Sequence, residues 1–140
     1  MFLLDTNVIS ELRRSDRANR QVLAWSDSVT PADLFTSAIT VLELETGILA
    51  LERRDARQGA VFRDWLEGYV LPAFVDRILP VDLPVARRCA ALHVPNRRPE
   101  RDAFIAATAI VHGLTVVTRN VADFEPMGVA LINPWQPIKP

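Results

Sequence analysis

Leu3-Leu4-Asp5-Thr6-Asn7 is the stretch whose reading decides the fold. An apolar run begins at Phe2 and stops at a carboxylate. Asn7 is followed by Val8, Ile9, Ser10, Glu11 and Leu12, which read as the first turns of a helix. The segment is a β-strand over residues 2–5 feeding an α-helix, with Asp5 at the junction, where Asp5 or Thr6 can cap the helix. Open α/β sheets bind their ligands outside the carboxyl ends of the strands. Asp5 stands at such an end.

Outward from this junction the alternation recurs. The pattern predicts a second helix over residues 19–28, a loop at Thr30-Pro31-Ala32-Asp33 and a short strand at Leu34-Phe35-Thr36-Ser37. Thr40 begins a long helix with Val41, Leu44, Ile48 and Leu51 on its core face, and Glu52-Arg53-Arg54-Asp55 marks its solvated end. The next helix, residues 56–70, repeats that pattern with Phe62, Trp65, Leu66, Tyr69 and Val70, and Pro72 ends it. A strand is expected at residues 77–81, a helix at 83–93 and a basic loop at Val94-Pro95-Asn96-Arg97-Arg98-Pro99. A helix over residues 100–112 closes on Gly113. Leu114-Thr115-Val116-Val117-Thr118 is the clearest strand, rich in β-branched residues, and residues 129–132 form the last. The tail, residues 133–140, is too proline-rich for regular structure. Strands alternating with helices imply a parallel sheet covered on both faces.

With 140 residues the chain is expected to be one domain, residues 1–140, large enough for a real core. No apolar run approaches the roughly 20 residues that span a bilayer, and the apolar start is too short for a signal peptide. A cytoplasmic protein is expected. One cysteine, Cys89, excludes an intrachain disulfide, and its spacing with Val85 and Leu92 reads as a packed thiol. The net charge of −1 does not advertise nucleic-acid binding. The basic residues are nearly all arginine, the better bidentate phosphate ligand.

Four carboxylates stand out by position. Asp5 ends the first strand, Glu43 is expected in the first turn of the helix after the second, and Asp123 follows the fourth. Asp102 lies in the first turn of the helix before the fourth strand and must reach the same edge from there. Taken singly each has an ordinary explanation: an N-cap for Asp5, a helix-dipole partner for Asp102, an Asx-turn for Asp123, a solvated face for Glu43. Taken together they make chemical sense around a cation, because crowded carboxylates repel until a proton or a metal relieves them. Mg²⁺ and Mn²⁺ prefer such hard oxygen ligands. A bound metal can lower the pKa of a water and polarise a phosphate, as phosphodiester hydrolysis requires. Gly47 leaves the helix open one turn beyond Glu43, and Ala103, Ala106, Ala107 and Ala109 let the helix after Asp102 pack closely. Glu45 points about 200° away from Glu43 at 100° per residue.

These segments resemble PIN-domain proteins of the VapC type, the toxin half of bacterial toxin–antitoxin pairs, and most of all the FitB branch. The resemblance rests on Leu3 to Glu11, on Ser37-Ala38-Ile39-Thr40-Val41-Leu42-Glu43-Leu44 with Gly47, and on Asp102 ahead of Ile105-Ala106-Ala107-Thr108-Ala109. It continues through Thr115 to Asn120, Asp123-Phe124 and the tail motif Asn133-Pro134-Trp135. It covers essentially the whole chain and departs over residues 93–101, a short arginine-rich connection. It implies a PIN-like three-layer α/β/α sandwich around a parallel sheet of four to five strands. It also implies an endoribonuclease using Mg²⁺ or Mn²⁺ at Asp5, Glu43, Asp102 and Asp123. By the same likeness a metal-activated water attacks an RNA phosphodiester and leaves 5′-phosphate and 3′-hydroxyl ends. Thr6, Asn7, Thr118 and Asn120 match polar positions that line the site, with roles in orienting carboxylates or waters.

Arg97, Arg98, Arg101 and Arg119 are the RNA-binding candidates, against a plain solvated loop for the first three and pairing of Arg119 with Asp123 or Glu125. Arg53, Arg54 and Arg57 read as surface, His93 and His112 as isolated, and Trp25, Trp65 and Trp135 as core or interface. The family implies a small DNA-binding antitoxin of the VapB/FitA kind, a homodimer, and a heterotetramer or larger assembly with that antitoxin. Apolar residues after Thr40 and after Ala56 would supply the dimer interface. The alternative reading is a binding module that holds an antitoxin in operon autoregulation and cuts RNA weakly or not at all. A strand-end phosphatase of the haloacid dehalogenase type fits poorly, because Asn7 stands where such enzymes need a second aspartate.

Overall fold

In a computed structural model describing residues 1–137, five short parallel strands form one sheet in the order β3-β2-β1-β4-β5. The first half of the chain supplies β1 (Phe2–Leu4), α1 (Thr6–Glu11), α2 (Arg20–Asp27), β2 (Leu34–Ser37), α3 (Ala38–Arg54) and α4 (Ala56–Trp65). A wide π-turn (Leu66–Val70) leads into α5 (Leu71–Ala73). Then come β3 (Ile78–Leu79), α6 (Leu83–Leu92), α7 (Glu100–His112), β4 (Thr115–Val117), α8 (Val121–Phe124) and β5 (Leu131–Ile132). The expected α/β/α layering with four to five parallel strands is realised with five.

Successive residues of β1 point to opposite faces, as the pleat requires. Leu3 and Val116 enter a core with Val85, Cys89, Ile105 and Phe124, built from α6, α7 and α8. Leu4 and Val117 enter a second core with Val8, Trp25, Ile48 and Leu66, built from α1 to α4 and the π-turn. Burial on both faces explains the continuous apolar runs of β1 and β4. Ala103, Ala106, Ala107 and Ala109 are fully buried, so α7 lies close against its neighbours.

Several boundaries move from their sequence expectation. The long helix begins at Ala38 rather than Thr40, because Ser37 is its N-cap and accepts a bond from the Thr40 N–H at 3.0 Å. The helix after Ala56 does not run regularly to Val70 and end at Pro72. It opens into the π-turn, where the Leu71 N–H reaches the Leu66 carbonyl, and Pro72 sits inside the short α5 that follows. The extra residue per turn rotates the helix, so Tyr69 is 67% exposed instead of facing the core. β3 keeps two of its five expected residues, and Arg77 turns its guanidinium onto the carbonyls of Pro31, Leu34 and Ala73. Gly113 takes the left-handed conformation at φ 68° that closes α7, as expected. Residues 138–140 of the proline-rich tail lie outside the described residues.

Candidate active site

The chain runs from β1 outward to β2 and β3, then returns to the other side of β1 for β4 and β5. The strand order therefore switches between β1 and β4, the place where such sheets open a crevice. Asp5 follows β1 there, 4% exposed. Its N–H stays on the ladder, donating to the Val117 carbonyl at 3.0 Å. One carboxylate oxygen caps α1, accepting from the Thr6 N–H at 2.8 Å. The other accepts from Thr118 Oγ1 at 2.8 Å and Asn7 Nδ2 at 3.3 Å. Asn7 Oδ1 accepts from the Arg119 N–H at 3.2 Å, and Thr118 Oγ1 accepts from the Asn120 N–H at 3.0 Å. Thr6, Asn7 and Thr118 thus surround Asp5, and Asn120 joins through its backbone.

Glu43 lies on the second turn of α3, not the first, because the Ser37 cap starts the helix two residues early. Thr6 Oγ1 donates to Glu43 Oε1 at 2.8 Å, tying α1 to α3 at the crevice. The single-residue turn at Gly113 sends α7 back against β4. The amino end of α7, with Asp102 in its first turn, thereby returns to the carboxyl edge of the sheet. Asp123 arrives on α8, directly after β4.

The electrostatics bind these positions into one cluster. Burial, followed by the charges of Asp5, Asp123 and Glu43, pushes the Asp102 carboxyl up to about 6. Every charge acting on Asp102 is a carboxylate. Burial also raises Asp5, with Glu43 adding to the rise and the bonds from Thr118, Thr6 and Asn7 opposing it. Among the described residues, no three Asp, Glu, His or Cys side chains close on one point as a ready-made cage. A concentration of hard oxygen donors with excess negative charge suits an ion that keeps part of its water shell.

A model of the PIN domain matches residues 2–125. The chain belongs to the PIN-domain family. It is 44% identical to a VapC ribonuclease from Sinorhizobium fredii, over 98% of this chain and 99% of that protein. It is 43% identical to the toxin FitB of Neisseria gonorrhoeae, over 96% and 99%. The crystal structure of FitAcB from Neisseria gonorrhoeae superposes with a TM-score of 0.88 at 42% identity, covering 97% of this chain and 99% of that one. A toxin–antitoxin complex from Klebsiella pneumoniae gives a TM-score of 0.70 at 25% identity, over 97% and 99%. PIN-domain ribonucleases generally use divalent metal ions.

The remaining candidates separate by position around this PIN-domain crevice. Arg101 reaches the cluster, with Nη1 3.8 Å from Glu43 Oε2. Arg119 does not pair with Asp123 or Glu125; its guanidinium lies over the Trp135 ring at 5.3 Å, a cation–π contact. Arg97 is exposed on its loop, whereas Arg98 is half-buried and its Nε is enclosed without a partner. His93 is not isolated: Nδ1 accepts from the Arg98 N–H at 3.1 Å and Nε2 lies 3.8 Å from Cys89 Sγ. Glu45 points away from the crevice and pairs with Arg63, which also holds Glu52 at 3.0 Å. Arg63 also lies 3.8 Å from Glu67 one turn on, so it joins three carboxylates, two of them on the preceding helix of the hairpin. Among the described residues no helix is long and apolar enough to cross a membrane.

Proposed function

We propose that the chain is the ribonuclease toxin of a toxin–antitoxin pair, hydrolysing RNA phosphodiester bonds with Mg²⁺ or Mn²⁺ at Asp5, Glu43, Asp102 and Asp123. The observation that carries this reading is the mutual influence of four carboxylates at the switch point, with Asp102 raised to about 6. The names of the Sinorhizobium and Neisseria relatives support the ribonuclease and toxin parts.

When bound, the metal supplies Lewis-acid stabilisation of the phosphate and a water of lowered pKa. The chain's own residues do the rest. Asp5 is pinned by three donors and presents fixed oxygens. Thr6 sets the rotamer of Glu43. Asp102, raised to about 6 in the metal-free site, gives up its proton when it takes its place as a ligand. Arg101 beside Glu43 moderates the negative field that would otherwise repel RNA.

The partner in this reading is a small DNA-binding antitoxin, supported by the similarity to a toxin–antitoxin complex. The cytoplasm is the place of action, with residues 1–140 acting as one domain. Purified chain free of antitoxin should cleave RNA with Mn²⁺ and lose cleavage in excess EDTA. Asp5→Asn should abolish cleavage and leave thermal stability near wild type. Full activity of Asp5→Asn, or activity in EDTA, would overturn the assignment. Absence of cleavage by the wild type with Mn²⁺ would leave antitoxin binding as the function.

A further inference from the structure

A cleft of about 300 Å³ opens from the carboxylate cluster between α1, α3 and α4. Thr6 and Glu43 form its inner end, so it is continuous with the crevice. Its walls are apolar, with Phe62 and Trp65 on one side. Two arginines, Arg13 and Arg54, line it as well. Among the described residues neither has a carboxylate within 4.0 Å, while the nearby Arg14 and Arg63 are both paired. The Arg13 guanidinium rests over the Phe62 ring at 4.2 Å, which fixes its plane and leaves its N–H edge unspent. Glu43 is already engaged with Thr6 and Arg101.

A second depression shares Ser10 and Arg13 with the cleft and is lined further by Glu11, Arg14 and Arg17, with Arg14 paired to Asp16. On the floor of the cleft, a Cβ added at Gly47 would meet nothing within 4 Å. Glycine inside a helix costs about 0.5–1 kcal/mol relative to alanine, and no neighbour requires it here. The effect is a bare floor beside two unpaired cations and an aromatic wall. Unpaired guanidinium groups beside aromatic surface are what single-stranded nucleic acid binds: phosphates on the cations, base faces on the rings.

We infer that this cleft seats the single-stranded RNA flanking the scissile phosphate, with Arg13 and Arg54 holding backbone phosphates and Trp65 covering a base. The inference rests on the ribonuclease reading and adds a strand path to it. It places RNA on the α1–α3–α4 side of the carboxylates.

The test uses the full chain free of antitoxin and a short labelled single-stranded RNA. Binding is followed by fluorescence anisotropy in EDTA across a salt series, and cleavage is followed with Mn²⁺. Arg13→Gln with Arg54→Gln should weaken binding about tenfold or more and lower the salt slope by about 1.4, at roughly 0.7 per phosphate contact on a single strand. KM for cleavage should rise while kcat holds. Gly47→Leu should weaken binding with the salt slope unchanged, since it fills space without removing charge. The exposed Arg54→Gln alone covers the case in which losing Arg13 from Phe62 disturbs folding. RNA affinity and salt slope unchanged in the double variant, with wild type cleaving normally, would overturn the cleft and leave the ribonuclease reading standing. Unchanged RNA binding with lost antitoxin binding would assign the cleft to a protein partner and also overturn it. A wild type that neither binds nor cleaves RNA would remove both.

Discussion

Thr118 Oγ1 donates to Asp5 Oδ2 at 2.8 Å across 113 residues of sequence. The same hydroxyl accepts from the Asn120 N–H at 3.0 Å, so one oxygen joins the ends of β1 and β4 and starts the turn toward Asp123. Thr118→Val should lower RNA cleavage about 10–100-fold, the usual effect of removing a group that orients a metal-site carboxylate. Stability should fall by about 1–3 kcal/mol, because the buried Asp5 carboxylate and the Asn120 N–H lose their partner. Thr118→Ser should recover most of both. Cleavage rates with Mn²⁺ and thermal melts of the three proteins check this.

Asp102 predicts a dependence on pH and metal together. Its folded pKa of about 6 lies above the ordinary 3.8. The folded state therefore holds this proton more tightly than the unfolded chain does. The stability linked to it is fully present below the unfolded value and is lost as pH rises through the folded one. Metal needs the deprotonated carboxylate, so Mn²⁺ should raise Tm more at about pH 7 than at about pH 5. Asp102→Asn should flatten both the metal-free pH dependence over that window and the Mn²⁺ response. Melting curves with and without Mn²⁺ at the two pH values read it directly. An equal Mn²⁺ shift at both would contradict it.

Two glycines on the α3–α4 hairpin should respond oppositely to alanine. A Cβ at Gly59 would lie 2.7 Å from Glu52 Cα and 2.9 Å from Glu52 N, backbone that cannot swing aside. Gly59→Ala should cost about 1–3 kcal/mol by overpacking. Gly47→Ala meets nothing and should gain about 0.5–1 kcal/mol. Urea unfolding of both variants measures the difference.

His93 anchors the loop that carries Arg97 and Arg98. With His93→Leu the Arg98 N–H loses its acceptor. Exchange of that amide with solvent should quicken, and stability should fall by about 1 kcal/mol. Native-state hydrogen exchange at Arg98 checks this. Exchange as slow as in the wild type would mean that the loop is held by other contacts.

The sheet and the carboxylate positions were legible because both are periodic or punctuated. β1 and β4 are apolar on both faces, Gly113 closes α7, and each acidic residue follows or faces a strand end. The π-turn was not legible, since Leu66, Tyr69 and Val70 keep helical spacing whether or not the backbone widens. Tyr69 consequently looked like a core residue. The start of α3 was missed because Ser37 serves both as the last strand residue and as the cap. His93 looked isolated because its bond to the Arg98 N–H depends on a loop closing. Arg54 looked like part of a surface charge cluster, and only the placement of α1 and α4 puts it in the cleft with Arg13. Asn120 was legible as a position but not as a role, because its backbone rather than its amide makes the contact with Thr118.

The sheet order also sets a schedule for synthesis. β1 leaves the ribosome first, yet one of its neighbours, β4, is the fourth strand to emerge. Until Thr118 and Asp123 appear, Asp5 lacks its hydroxyl donor and the cluster lacks its last carboxylate. Long-range parallel pairing is slow to form. A nascent chain stalled before β4 carries Asp5, Glu43 and Asp102 but no crevice to gather them, so the chemistry is withheld until β4 and α8 have been made.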